Sequence, residues 1–359
     1  GVRTRIGAFL AKTYGGRISA VYPDRPVGAL ARVHYILGHD GDALPVVTRE
    51  VLEGGIAVIA RTWADRLADT LADRVGGARA RALASRYATA FGPAYRDAYD
   101  PAVALGDISR LEQLTAERPR AVDFYCRDHS EPARLNLKLF SRGAGLPLSE
   151  RVPLLERMGF RVLDEQTFRI GDEGAADADA VWIHDVSLER ATGAPVDIAA
   201  IEHRLEAALL AIFRGLAESD GYNKLVLEAG LGWREAALIR ALGRYLQQIT
   251  IPYSQDYIAD VLARHGDVVS GLVGLFYARF DPAVADREAP EAAARAAIAE
   301  TLAAVTSLDD DRILRRFLNL VGAAVRTSFF RIGPDGLPTT IVAFKFDCAK
   351  VAALPAPRQ

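Results

Sequence analysis

Residues 134–140 read R-L-N-L-K-L-F. Leu135, Leu137 and Leu139 alternate with Asn136 and Lys138, and a period of two sends the three leucines to one face of a β-strand. That face must be buried, so something apolar packs on it. The flanking sequence supplies candidates. Residues 122–126 form a strand before it, and G-A-G-L-P-L at 143–148 is a turn after it. A helix over 149–158 follows, stopped by Gly159, and then a strand over 160–170. The stretch G-D-E-G-A-A-D-A-D at 171–179 is a polar turn, and 181–186 is a further strand. Asp197 caps a helix whose Ile198, Ile201, Leu205, Leu209 and Ile212 make one stripe. Strand, strand, helix, strand, strand, helix predicts an α+β fold with antiparallel sheets carrying helices on one face.

Working outward, residues 3–14 read as a helix, 18–22 and 31–37 as strands, His39-Asp40-Gly41-Asp42 as a turn, and 48–74 as a helix. This order is a β-α-β-β-α-β unit without its first strand. Together with a start at Gly1 rather than methionine, it predicts excision from something longer. The helical pattern resumes over 76–120, with Leu105, Ile108, Leu111 and Leu114 recurring and Pro93 and Pro101 near helix starts. Arg110, Glu112, Glu117 and Arg118 read there as a solvated face.

Residues 218–248 read as helix, break, helix. Gly230 and Gly232 punctuate them, Leu238, Leu242, Tyr245 and Ile249 form a buried stripe, and Arg240 and Arg244 fall opposite. Trp233 is expected to be largely buried, anchoring this hairpin to the helix from Asp197. Helices follow from Ser254, over 268–280, 290–305 and 309–325, the last capped by S-L-D-D at 307–310. Strands at 326–332 and 340–347 flank G-P-D-G, a hairpin signal, and L-P-A-P at 354–357 reads as a connector. The expected divisions are 1–75, a truncated unit; 76–120, a helical linker; 121–217, a second unit; 218–325, a helical region; and 326–359, a β-hairpin and connector.

The 359 residues carry 44 basic and 46 acidic side chains, a balance that does not attract nucleic acid or anionic lipid. No apolar run reaches the ~18 residues of a membrane span, and no signal peptide is evident. Cys126 and Cys348 have no partner at metal or redox spacing, which fits a reducing cytoplasm. No G-x-G-x-x-G follows a strand, no phosphate-binding G-x-x-x-x-G-K-[ST] occurs, and the six histidines never fall at H-x-x-x-H. Asp309, Asp310 and Asp311 suit a helix start better than a cation. Three arginines beside Glu235 make 218–248 a poor recognition helix, so packing is its role. Catalytic, cofactor-binding and metal-ligating residues are therefore expected to be absent from this chain.

Two resemblances sharpen this reading. G-L-P-L at 145–148 followed by S-E-R-V-P-L-L-E-R-M-G-F-R-V-L-D-E-Q resembles the strand-turn-helix-strand core of an ACT domain, a ferredoxin-like fold. Such domains commonly bind an amino acid near that turn. A glycine-containing turn before a helix offers backbone N–H groups and the positive end of a helix dipole to a carboxylate. This nominates Gly143, Ala144, Gly145, Leu146 and Leu148 for an effector.

The second resemblance is broader. W-A-D-R-L at 63–67, F-G-P-A-Y-R-D-A-Y at 91–99, V-W-I-H-D at 181–185, D-G-Y-N-K-L-V-L-E-A-G-L-G-W-R-E at 220–235 and S-L-D-D-D-R-I-L-R-R-F at 307–317 are similar to the bacterial large NAD-dependent glutamate dehydrogenases. The resemblance implies a regulatory and scaffold segment upstream of the catalytic part, with NAD the cofactor of the parent enzyme and none bound here. It implies as partners the protein's own catalytic domain and further copies of the chain, in an oligomer. Two other readings stand beside it: a free-standing amino-acid-sensing or helix-turn-helix regulator, and a purely structural oligomerisation module.

Overall fold

The computed structural model describes residues 1–24, 32–39, 41, 45–171, 180–249, 251–334, 336–352 and 354. The turn expected at 171–179 and the connector at 354–357 fall mostly outside these residues, as do Ala31, Asp40, Asp42 and Asp335 of the expected strand and turns. No helix among the described residues is long and apolar enough to cross a membrane. The chain divides into two compact units, Gly1–Ile108 and Ser109–Gln359.

In the first unit, helix α1 (Val2–Tyr14) precedes an antiparallel pair, β1 (Arg17–Asp24) and β2 (Arg32–Gly38). The single helix expected over 48–74 is two, α2 (Arg49–Ala60) and α3 (Trp63–Arg74). The break has a local cause: Thr62 and Asp65 form a capping box, with Asp65 N donating to Thr62 Oγ1 (3.1 Å) and Thr62 N to Asp65 Oδ2 (2.9 Å). α4 (Gly77–Ala90), α5 (Pro93–Ala98) and α6 (Pro101–Leu111) follow. Trp63, Tyr87, Phe91, Tyr95 and Tyr99 are all buried. The Phe91 and Tyr95 rings stack at 4.3 Å, and Trp63 Nε1 donates to Tyr99 O.

The second unit opens with a four-stranded antiparallel sheet ordered β3-β4-β6-β5, comprising β3 (Arg120–Tyr125), β4 (Arg134–Arg142), β5 (Phe160–Ile170) and β6 (Val181–Arg190). Helix α7 (Leu148–Arg157) joins β4 to β5, and α8 (Ile198–Phe213) follows β6. The three leucines of 134–140 do point one way. Leu137 stands between Phe124 of β3 and Val186 of β6, in a core with Leu154 and Leu155 of α7 and Leu205 and Leu209 of α8. The slot beside β4 on the side away from β6 is filled by β3, the strand expected before it in the chain.

The alternate face of β4, read as polar, is buried as well. Asn136, Lys138 and Phe140 are enclosed, and Lys138 faces Asp185 directly across the ladder, so opposite charges accompany each other inside. Asp185 also accepts from Tyr125 Oη (2.9 Å) and Arg127 (2.6 Å). Arg110, read as solvated, instead binds Asp123 of β3 (2.8 Å) and Glu206 of α8 (3.0 Å), because helix α6 ends where both carboxylates converge.

Past α8, a 3-10 turn (Gly221–Asn223) leads to α9 (Lys224–Glu228) and α10 (Trp233–Gln248). Then come α11 (Gln255–Arg264), α12 (Gly266–Phe280), α13 (Glu288–Ala303), α14 (Leu308–Ala323) and a short strand pair, β7 (Ala324–Thr327) with β8 (Phe344–Phe346). The expected strands at 326–332 and 340–347 are thus shorter and shifted. Ser307 caps α14 and Asp310 binds Arg264 and His265, so the acidic run at 309–311 serves a helix start. Among the described residues no group of three or more acidic, histidine or cysteine side chains could hold a metal ion.

Helix α10 is a wall between two cores. Ala236 lies in the sheet core and Trp233, partly buried, packs against it, in line with the expected anchoring of this hairpin to the core that α8 shares. Leu238, Ile239, Leu242 and Leu246 lie in a second core with α11, α12, α13, α14 and Phe329. A helix with apolar neighbours on two sides has little solvent face left. Arg240, placed opposite the stripe by spacing, is accordingly 4% exposed and lies 2.7 and 2.9 Å from the Asp220 carboxylate. Arg244 pairs with Glu218.

Candidate functional site

The turn after β4 is internally bonded. Gly143 has φ 80°, a left-handed conformation that glycine permits, and its N–H donates to Ala180 O (2.8 Å). Ala144 O accepts from Ser141 Oγ (2.8 Å), and Leu146 O accepts from the Arg151 guanidinium. Leu146 is buried, while Leu148 is 58% exposed. A Cβ at Gly145 would sit 3.5 Å from both His184 Nε2 and Trp182 Cγ. The five nominated residues therefore form one turn, lying over a polar cluster that spacing did not reveal.

That cluster is built from three elements. Arg151 projects from α7, Glu165 and Thr167 from β5, and His184 from β6, with Thr167 directly opposite His184 in the ladder. Arg151 is 6% and His184 3% exposed. Arg151 lies 2.5 Å from Glu165 Oε1 and 3.1 Å from His184 Nε2. A guanidinium only donates, so Nε2 is the acceptor and Nδ1 carries the imidazole hydrogen. Nδ1 faces Thr167 Oγ1 (3.0 Å) and Glu165 Oε1 (3.1 Å), and Thr167 Oγ1 lies 2.8 Å from the same carboxylate.

Burial holds His184 below its ordinary pKa, and the neighbouring Arg151 charge adds to this, against a smaller opposing pull from Glu165. Burial raises Glu165, but hydrogen bonds from Thr167 and Arg151 and the Arg151 charge outweigh it, leaving the carboxyl below its usual value. The cluster is thus a neutral imidazole beside an ion pair. It fastens the turn to the sheet. The one signal for it in the sequence was a histidine inside the strand V-W-I-H-D.

An antiparallel sheet with helices on one face, and a glycine turn joining β4 to the first helix, define an ACT-domain protein. The family model "Glutamate dehydrogenase, ACT3 domain" matches residues 119–201. Its neighbours match too: helical motif 2 of glutamate dehydrogenase at 70–114, helical motif 3 at 217–282, and the catalytic domain of bacterial NAD-glutamate dehydrogenase at 297–359.

An NAD-specific glutamate dehydrogenase of Halomonas elongata is 35% identical over 328 residues, covering 91% of this chain and 20% of that protein. That of Pseudomonas aeruginosa is 34% identical over 332 residues and that of Mycobacterium tuberculosis 38% over 338, covering 91% and 90% of this chain and 20% of each relative. The chain belongs, as a segment, to the bacterial large NAD-specific glutamate dehydrogenase family, and it spans about one fifth of the length of these relatives. The catalytic-domain match reaches back to 297. From the sequence this region is expected to be the end of the helical region, then a β-hairpin and connector to a catalytic domain missing from the chain, whereas the catalytic-domain model matches it from 297 onward.

Proposed function

We propose that this chain is a regulatory and scaffold segment of an NAD-dependent glutamate dehydrogenase, which converts L-glutamate, NAD+ and water to 2-oxoglutarate, ammonia and NADH. In this reading the segment does not carry the reaction, NAD serves the parent enzyme, and the complete protein works in the cytoplasm as an oligomer. The observation that supports it is the continuous core. Ile298, Leu302, Ile313, Leu314, Phe317 and Leu320, within the catalytic-domain match, are buried together with Leu238, Leu242, Leu272 and Phe276 of helical motif 3. The buried charges have mutual partners, as a structural role requires: Arg240 with Asp220, Arg151 with Glu165, Arg264 with Asp310.

The test is the complete enzyme carrying Lys138→Met, since a buried lysine facing a carboxylate is the pair a catalytic reading would choose. The scaffold reading expects a lower thermal midpoint with KM and kcat per folded molecule retained. Collapse of kcat at an unchanged midpoint would contradict it.

A second reading places an amino-acid effector at the Gly143–Leu148 turn. Among the described residues Arg151 Nε and Trp182 Nε1 are buried N–H groups that meet no acceptor, and Gly145 adjoins Trp182. Calorimetry of the complete protein with a panel of amino acids, repeated on Gly145→Val, tests this. A saturable heat lost in the variant supports an effector, and no saturable heat with any of them removes the idea.

A further inference from the structure

Two consecutive residues at the start of α10 meet different bodies. Trp233 packs against the core of the ACT sheet. Arg234 turns the other way, and its Nη2 donates to Phe329 O at 2.7 Å while its guanidinium lies 4.6 Å from the centre of the Phe329 ring. Phe329 is 1% exposed and meets Phe276 edge-on at 5.4 Å, so the carbonyl is presented from a fixed place.

A second arginine of the same helical motif holds the other end of this corner. Arg279, near the end of α12, donates from Nη1 to Gly322 O (2.8 Å) and from Nη2 to Ala324 O (3.1 Å). These carbonyls lie where α14 ends, and the last four carbonyls of a helix have no partner within it. A cation there also meets the negative end of the helix dipole. Arg279 is held in turn by Glu291 (3.6 Å), which also binds Arg295 (2.9 Å). Gly322 leaves the space, because a Cβ there would lie 3.3 Å from the Arg295 guanidinium. The two arginines thus grip three main-chain carbonyls, at 322, 324 and 329, all within the catalytic-domain match.

The opposite side of the helical motif is tied to the ACT sheet as firmly. Arg190, the last residue of β6, reaches Glu228 at the end of α9 with 3.1 and 2.7 Å bonds, and only Ala229 to Gly232 separate Glu228 from Trp233. Tyr245 of α10 also stacks on Phe346 of β8 at 4.5 Å.

We propose that the start of α10 is a joint between the ACT domain and the catalytic region. Arg234 and Arg279 are its positioning residues, fixing the course of the chain from α14 through β7 by gripping its main chain. This rests on the reading of the segment as part of the dehydrogenase. A backbone grip transmits the orientation of the helical motif without regard to the side chains of the gripped segment, and a guanidinium fork over a ring and a carbonyl is a geometry lysine only partly reproduces.

The experiment compares the complete enzyme with Arg234→Met, Arg234→Lys and Arg279→Met. It measures kcat and KM for glutamate-dependent NAD+ reduction, and hydrogen exchange of amides 324–346. Loss of a joint should lower kcat per folded molecule by about threefold to thirtyfold at unchanged KM, a range expected for residues that couple sites without touching ligand. Exchange over 324–346 should quicken in parallel, and Arg234→Lys should recover part of both. Where one methionine variant is too unstable to purify, kcat and exchange of the other methionine variant decide, with wild-type values in it overturning the joint. Wild-type kcat per folded molecule in the methionine variants, or a lysine variant no better than methionine, would overturn the joint. If the wild-type protein forms no NADH from glutamate, the functional reading fails by itself. The exchange arm then decides, and unchanged exchange overturns the joint.

Discussion

Arg240 brings a full charge into the wall between two cores, where the carboxylate of Asp220 and the Asn223 side chain meet it. Removing one member of such a pair leaves the other charge buried, which costs roughly 3–5 kcal/mol. Asp220→Ala should fall near the lower end, since its own side chain is 29% exposed, and Asp220→Ala with Arg240→Met should be milder than the single change. Chemical denaturation of both variants checks this. A double variant worse than the single one would show that the pair is not what holds the hairpin.

His184 gives the fold a pH dependence. Its folded pKa is depressed, so as pH falls the unfolded chain, with an ordinary value near 6.5, takes up the proton first. The His184 contribution is therefore fully present above about pH 6.5 and is lost as pH drops toward the folded value. Glu165, also depressed, acts with the same sign at lower pH, its contribution being lost below an ordinary value near 4.5. Thermal midpoints should decline on acidification below about pH 6.5. They should decline less steeply in His184→Gln. Identical slopes would exclude His184 as a source of the effect.

At the scale of elements, α9 and α12 touch backbone to backbone. A Cβ at Gly266, the first residue of α12, would collide with the Glu228 carbonyl at the end of α9, and main chain cannot swing aside as a side chain can. Gly266→Ala should lower stability by about 1–3 kcal/mol through this overpacking, measured as a shift in denaturation midpoint. No shift would mean that the two helix ends are not held together. Many elements were legible because their causes are local. The alternation in 134–140 gave β4, Gly159 ended α7, and Asp197, Ser254 and Ser307 began helices. The break at Thr62 was also local, in T-W-A-D, but the apolar pattern running through it read as one helix.

What spacing did not reveal depends on partners distant in the chain. Arg240 was placed only opposite the buried stripe, because periodicity finds that stripe and not the second core behind it. Arg151, Glu165, Thr167 and His184 meet only through the β5–β6 register and the seating of α7 on the sheet. The nominated turn, by contrast, was found from its glycines, whereas the bonds that occupy its backbone groups come from Ala180, Ser141 and Arg151.

On the scale of the whole second unit, helical motif 3 does not sit between an ACT domain and a catalytic domain as a spacer. It is the shared wall of both cores, with Leu227 and Ala236 on one side and Leu238, Leu262 and Leu272 on the other. A wall that belongs to two cores cannot leave one without opening the other, so the ACT sheet and the segment matched to the catalytic domain should unfold as one cooperative unit. Native-state hydrogen exchange of the complete protein tests this most directly, by comparing the slowest amides of β4 and β6 with those of α14. The account predicts a common opening free energy that falls equally for both sets as denaturant is added; a sheet that opens while α14 keeps its full protection would contradict it.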